Sequence, residues 1–178
     1  VVINPCDFNQ TRAATIAVSE YYGPVYLRFG RPSVPNFTNA DMKFEIGKAI
    51  ILNPGKDVTI VATGHLVWEA LIAAESLEND GISAEVINVH TIKPIDKNII
   101  LNSVKKTKAI VTAEEHNYLG GMGESISRIL SQNFPVPQEF VATKDTFGES
   151  GKPNELMSKY GLNKESIIDS SKKVISRK

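Results

Sequence analysis

Apolar and polar positions along the chain switch repeatedly between a period near two and a period near 3.6, which divides it into short strands and helices. Val1-Val2-Ile3 is a β-branched run that reads as a buried strand. Asp7 stands where a helix N-cap would, with Gln10 three residues on at capping-box spacing. Phe8 to Tyr22 then reads as a helix with Ala13, Ile16 and Ala17 on one face and Gly23 as its stop. A second strand, Val25 to Phe29, completes one β-α-β unit. Such a unit is too small to stand as a domain, and a strand at the first residue needs partners. We therefore expect residues 1–29 to be the loosely attached end of a domain that begins upstream.

Residues 30–44 carry Gly30, Pro32, Pro35 and several Asn, Asp and Thr with little periodicity, which is linker composition. From residue 45 the pattern becomes regular. Glu45 to Leu52 and Val58 to Ala62 flank Asn53-Pro54-Gly55-Lys56, which predicts a hairpin. Helix and strand then alternate. Leu66 to Asn79 is a helix with Val67, Ala70, Leu71, Ala74 and Leu77 on its apolar face. Ala84 to Val89, Ala109 to Ala113 and Glu139 to Ala142 are strands, separated by helices over Asp96 to Lys105 and Gly123 to Gln132. Two further helices close the chain, near Asn154 to Tyr160 and Lys164 to Ser176. This alternation predicts an α/β domain over 45–178: a mostly parallel sheet, one antiparallel edge strand, and helices on both faces.

With 178 residues, 42% of them hydrophobic, the chain can bury a substantial core. Lys+Arg and Asp+Glu both number 20, so there is no basic excess of the kind that nucleic acids or anionic membranes select. Cys6 is the single cysteine, which rules out an internal disulfide and fits a reducing compartment. No apolar run approaches the roughly 20 residues needed to cross a bilayer. These features lead us to expect a cytoplasmic protein with neither a nucleic-acid nor a membrane partner.

Four places could carry chemistry. Thr63-Gly64-His65 joins a strand to a helix; it is either an anion-binding turn or a plain tight turn in which Thr63 helps cap the helix. Glu114-Glu115-His116 ends a strand ahead of Gly120-Gly121-Met122-Gly123. Acid–base or metal work is conceivable there, but no ligand cluster has metal spacing and Ile126 stands where a dinucleotide fingerprint needs its third glycine, so a structural role is favoured. Arg28 and Arg31 follow a strand end, where open α/β sheets bind ligands, and a guanidinium fork matches phosphate oxygens; a surface pair is the equal alternative. His90 and Lys93-Pro94 follow another strand end, where a solvated loop is expected.

The run Gly23-Pro24-Val25-Tyr26-Leu27-Arg28-Phe29-Gly30-Arg31-Pro32 resembles the end of the pyrimidine-binding domain of transketolase-family enzymes. Asp57 to Gly64, Asn88 to Asp96, Thr112 to His116 and Gly120 to Gly123 resemble successive motifs of that family's C-terminal domain, in order along the chain. Thr146 to Gly151 resembles a transketolase loop more than its counterpart in deoxyxylulose-phosphate synthases. The resemblance implies part of an enzyme that uses thiamine diphosphate and Mg²⁺ to transfer a two-carbon ketol unit between phosphorylated sugars. It implies a homodimer, and upstream domains or a separate N-terminal subunit that hold the cofactor and its activating glutamate. This chain would contribute no catalytic, cofactor or metal residue and be inactive alone. Arg28 matches the family arginine that binds the sugar phosphate, and its guanidinium should be well exposed. The alternatives are a section of a deoxyxylulose-phosphate synthase, a section of a 2-oxoacid dehydrogenase E1 β subunit, or a non-catalytic dimerisation or regulatory module.

Overall fold

The computed structural model describes residues 1–178. In chain order the elements are β1 (Val2–Ile3), α1 (Phe8–Ser19), β2 (Tyr26–Leu27), β3 (Ile50–Asn53), β4 (Val58–Ala62), α2 (Leu66–Asn79), β5 (Ala84–Asn88), β6 (Thr91–Lys93), α3 (Lys97–Thr107), β7 (Ile110–Asn117), α4 (Met122–Asn133), β8 (Gln138–Thr143), α5 (Pro153–Lys159) and α6 (Lys164–Ile175). The larger sheet has the order β3-β5-β4-β7-β8. All its neighbours are parallel except β3, which lies antiparallel to β5 at the edge. This is the α/β class that the alternation predicts.

Strand side chains point alternately to opposite faces, and both faces of this sheet are apolar. On one, Val58, Ile60 and Ala62 of β4 pack with Val86 and Val111 beneath α2 and α6. On the other, Val61, Ile87 and Ile110 pack beneath Ile100 and Val104 of α3 and Met122 and Ile126 of α4. Each fully buried Leu or Ile side chain here contributes roughly 1.5–3 kcal/mol. The hydroxyls inside this core pair with one another: Thr59 shares hydrogen bonds of 2.6 and 2.7 Å with Ser103 and Thr107.

The predicted hairpin does not form. β5 lies between β3 and β4, so the two runs flanking Asn53 to Lys56 are not neighbours. The turn instead wraps over the beginning of β5, where Lys56 and Asp57 N–H both donate to the Ser83 carbonyl and the Asn53 amide donates to that of Ala84. Gly55 makes the crossing possible, since a Cβ there would sit 2.2 Å from the Ala84 backbone. A strand buried along its whole length, as Ala84–Asn88 is, takes the central slot ahead of the locally adjacent but half-exposed β3.

A second, three-stranded sheet has the order β2-β1-β6. β1 runs parallel to β2 and antiparallel to β6, a short strand that the sequence pattern does not reveal. The stretch from Ala84 to Lys93 therefore serves both sheets, and residues 1–29 are not loosely attached. Cys6 lies inside the larger core, Asn4 N–H donates to the His90 carbonyl, and the buried Asn88 amide donates to Gln10. On α1, Ala13 and Ala17 pack inward as expected, against Ile3, Ala14 and Phe44, but Ile16 does not. Gln10 and Ala14 are fully covered, whereas Ile16 is 50% exposed.

The connection 30–44 is pinned as well. Asp7 Oδ1 accepts from Gln10 N–H, as an N-cap should, and from the Thr38 hydroxyl, while Oδ2 accepts from the N–H groups of Phe37 and Thr38. Phe37 stacks on Trp68, and Phe44 is buried against the His90 ring. Burial alone would raise the Asp7 pKa, but these donors outweigh it and hold the carboxyl below its ordinary value of 3.8. The stabilisation is therefore present above that value and is lost as pH falls through the lower folded-state one. Asp7→Ala should cost roughly 2–4 kcal/mol near neutral pH, with the gap to wild type closing in acid. Urea denaturation across pH checks this. The variant should also make residues 33–40 the first point of limited proteolysis, and unchanged stability together with unchanged cleavage would refute the role given to Asp7.

Candidate functional site

The small sheet presents one face to the larger domain. Val2 pairs with Tyr26 and Lys93, and two residues further along β1 and β2 come Asn4 and Arg28. By strand alternation these five share a face, while Ile3 and Leu27 turn the other way toward Ala14 and Phe44. The opposite wall comes from the end of β7 (Glu114, Glu115, His116) and from Gly121, Ser125 and Arg128, at i, i+4 and i+7 along one side of α4. Between the walls lies a cleft of about 620 Å³. It opens where neighbouring strands β4 and β7 end and their following helices, α2 and α4, depart to opposite faces of the sheet. Open α/β sheets place ligands at such switch points.

Glu114 is buried and already occupied. Its carboxylate accepts from Met122 and Gly123 N–H at 2.8 Å each, capping α4 with a charge that suits the helix dipole. Burial raises its pKa above the ordinary value, more than those donors and the nearby His116 and Arg28 can offset. Gly121 has to be glycine, because a Cβ would lie 2.6 Å from both the Glu114 carboxylate and the Asn117 carbonyl. Gly123 is likewise pressed against the Thr112 hydroxyl, 2.7 Å from where a Cβ would be. The Gly-Gly-Met-Gly run thus has the structural role expected of it.

Glu115 is also engaged, 3.6 Å from His65 Nδ1. At that separation the contact is electrostatic rather than a hydrogen bond, an ion pair when His65 is protonated. The Glu115 carboxylate holds the His65 pKa above its ordinary 6.5, against burial and the Arg28 charge. For Glu115 itself burial acts upward, but His65 and then Arg28 prevail and keep it low. Arg28 is partly buried rather than well exposed, because docking of the small sheet covers it, and its backbone N–H donates to the Ile3 carbonyl.

The other candidates separate. Arg31 lines a different cavity of about 740 Å³ with Pro32, Trp68 and Tyr160. Thr63 does not cap α2; its hydroxyl donates to the Asn4 carbonyl, and Gly64 turns with φ +57° against the Asn4 amide. Lys93 and Pro94 do line the cleft, but His90 is not in a solvated loop. It is buried, bonded to the Thr91 hydroxyl, and burial pushes its pKa down to about 4. Sequence reading missed Ser125 and Arg128. Their signal was the i, i+4, i+7 spacing from Gly121, which has meaning only once α4 is known to face the small sheet.

Residues 47–167 match the family described as transketolase, C-terminal domain. The chain belongs to the transketolase family. It is 44% identical over 99% of its length to a 6-deoxy-6-sulfo-D-fructose transketolase subunit of Clostridium sp., of which it covers 55%. It is 37% identical over 99% to an apulose-4-phosphate transketolase subunit of Phocaeicola vulgatus, of which it covers 56%. A solved split-gene transketolase, described as an inactive β4 tetramer, superposes on 99% of the chain and 58% of its own with a TM-score of 0.96 and 42% identity. The chain spans about half the length of the curated relatives it matches. None of its helices is long and apolar enough to cross a membrane.

The histidines provide a check on this electrostatic account. By NMR, His65 should titrate above 6.5 and His90 near 4. Glu115→Gln removes the main cause that raises His65 and leaves burial and Arg28, so its midpoint should drop below 6.5. A His65 midpoint unmoved by Glu115→Gln would exclude the pair.

Proposed function

We propose that this chain is the C-terminal section of a thiamine-diphosphate-dependent transketolase that transfers a two-carbon ketol unit between phosphorylated sugars. The observation that carries this reading is Arg28, a guanidinium at a strand end, facing the switch-point cleft and without a carboxylate in salt-bridge range. A rigid fork of donors so placed suits a terminal phosphate.

On this reading residues 1–29 are the end of the pyrimidine-binding domain, 30–44 the connection, and 45–178 the C-terminal domain. The partner is the upstream part of the enzyme, as further domains or a separate subunit, and two such assemblies make the homodimer. The carboxylates of the cleft are engaged by amides and by His65, and no group of three or more His, Cys, Asp or Glu side chains could hold a metal ion. This donor set does not fit Mg²⁺ and a diphosphate, so thiamine diphosphate, which supplies the carbanion chemistry when bound, is assigned to the upstream part. What this chain supplies is grip on the distal end of the substrate, remote binding energy that places the reacting carbonyl. The names of the relatives set the range of substrates to try, with a sulfonate or a phosphate as the charged end.

In the complete enzyme, Arg28→Ala should raise KM and lower kcat/KM for phosphorylated sugars about ten- to a hundredfold, since a charge-assisted contact contributes roughly 1.5–3 kcal/mol. An acceptor without a charged end should be nearly unaffected, and Arg28→Lys should recover only part of the loss. Steady-state kinetics with paired substrates decide it. Equal losses on both would make Arg28 a structural residue.

A further inference from the structure

Most of the charge balance in the cleft is settled inside the protein, and what is left over is positive. The acids in its lining are Glu114, held by the Met122 and Gly123 amides, and Glu115, held by His65. Glu124 stands one turn before Arg128 on α4 and could have paired with it, but it accepts from Gly120 N–H instead. Arg28, Lys93 and Arg128 all line the cleft, and none of them has a salt bridge. Elsewhere lysines do find partners: Lys106 with Glu85, Lys159 with Glu149, Lys172 with Asp80.

The three cations also reach the cleft from different sides. Arg28 and Lys93 stand on one face of the small sheet, on its two outer strands or just beyond them, with β1 between. Arg128 stands on the opposite wall, with the Ser125 hydroxyl one turn before it on the same side of α4. Two forks and a point charge lining one cleft can together surround a tetrahedral dianion, which a single arginine cannot.

We propose that Lys93 and Arg128 complete, with Arg28, a site for a dianionic phosphate group, so that the C-terminal domain itself contacts the charged end of the ligand. This rests on the reading of Arg28 given above and adds residues to it. The phosphate could be the end of the substrate or a free inorganic ion. The former makes Lys93 and Arg128 determinants of substrate specificity, and the latter makes the ion a competitor of the substrate.

Calorimetric titration of inorganic phosphate into the full-length protein containing this chain tests the site without requiring turnover. Arg128→Ala and Lys93→Ala should each weaken binding roughly tenfold or more, and Arg128→Lys should recover part of it. All three are substitutions of exposed side chains and should leave folding intact. Lys56→Ala, an exposed cation in the turn at the opposite end of β4, should change affinity less than about twofold. In the complete enzyme, Arg128→Ala should raise KM for a phosphorylated substrate while kcat holds. Inorganic phosphate should inhibit competitively, and less strongly in the variant. Absence of saturable phosphate binding below about 10 mM would overturn the site, as would Arg128 and Lys93 variants that bind like wild type. If those variants bind normally while Arg28→Ala does not, Arg28 keeps its role and the added residues lose theirs. If all three matter for phosphate but none for ketol transfer, the site stands and the substrate reading of Arg28 falls.

Discussion

β1 is hydrogen-bonded on both edges, and the site depends on that arrangement more than on any single side chain. A two-residue strand contributes little alone, yet it joins β2 on one side and β6 on the other. β6 is reached directly from β5, a fully buried strand of the larger sheet. Through this ladder the position of Arg28 is set by the core of the C-terminal domain. A flexible tether would have placed Arg28 and Arg128 at variable distance. A shared sheet places them on facing walls, and such preorganisation is what a charged binding site needs.

The second constraint is electrostatic. A cleft that gathers arginines and glutamates would ordinarily neutralise itself with internal ion pairs. Here the two carboxylates have other duties before any ligand arrives. Glu114 replaces the missing intrahelical partners of the first N–H groups of α4, a need common to every helix, and the crowded glycine Gly121 lets it come close enough to do so. Glu115 fixes His65, whose ring in turn packs against Gly30, where a Cβ would meet it at 2.2 Å. The chain that follows Arg28 is thereby held against the start of α2. Glu114 and Glu115 thus serve position and charge, and leave the arginines available.

Much of the architecture was legible because it is written in short-range periodicity. The alternation from residue 58 onward and the apolar face of α2 are local signals, as is the Asp7 cap, and these match the structure. What was illegible is long-range. Nothing in Asn53-Pro54-Gly55-Lys56 says that a strand some thirty residues later will take the place between its flanks, since turn chemistry is the same for a hairpin and for a crossing. β6 could not be read because three residues carry no usable period and their partner is at the other end of the chain. Of the site, Arg28 was visible through its place at a strand end, and the structural role of the Glu114 segment through the lack of metal-ligand spacing and of a dinucleotide fingerprint in the glycines after it. Arg128 was invisible, being one exposed arginine on a helix whose orientation is a tertiary fact.

The seam between α1 and β5 shows how that register is enforced. Cys6 N–H donates to Gln10 Oε1, so Gln10 must present its oxygen inward. That in turn requires Asn88 to present its amide nitrogen, which donates to Gln10 Oε1 and to Cys6 Sγ. Flipping the Gln10 amide would set two donors against each other at Cys6, and flipping that of Asn88 would set two acceptors together at Gln10. The order has a cost, since Gln10 Nε2 and Asn88 Oδ1 are left buried without partners, at roughly 1–3 kcal/mol each. The Cys6 thiol, its pKa driven far up chiefly by burial, is a neutral packing group there and no nucleophile. An apolar seam of the same shape would be cheaper but could slide by a residue, and sliding β1 by one would turn Val2 and Asn4 to the other face of the sheet and break the register in which Arg28 N–H meets the Ile3 carbonyl. The polar seam admits only one alignment, and in that alignment Arg28 and Arg128 line the same cleft.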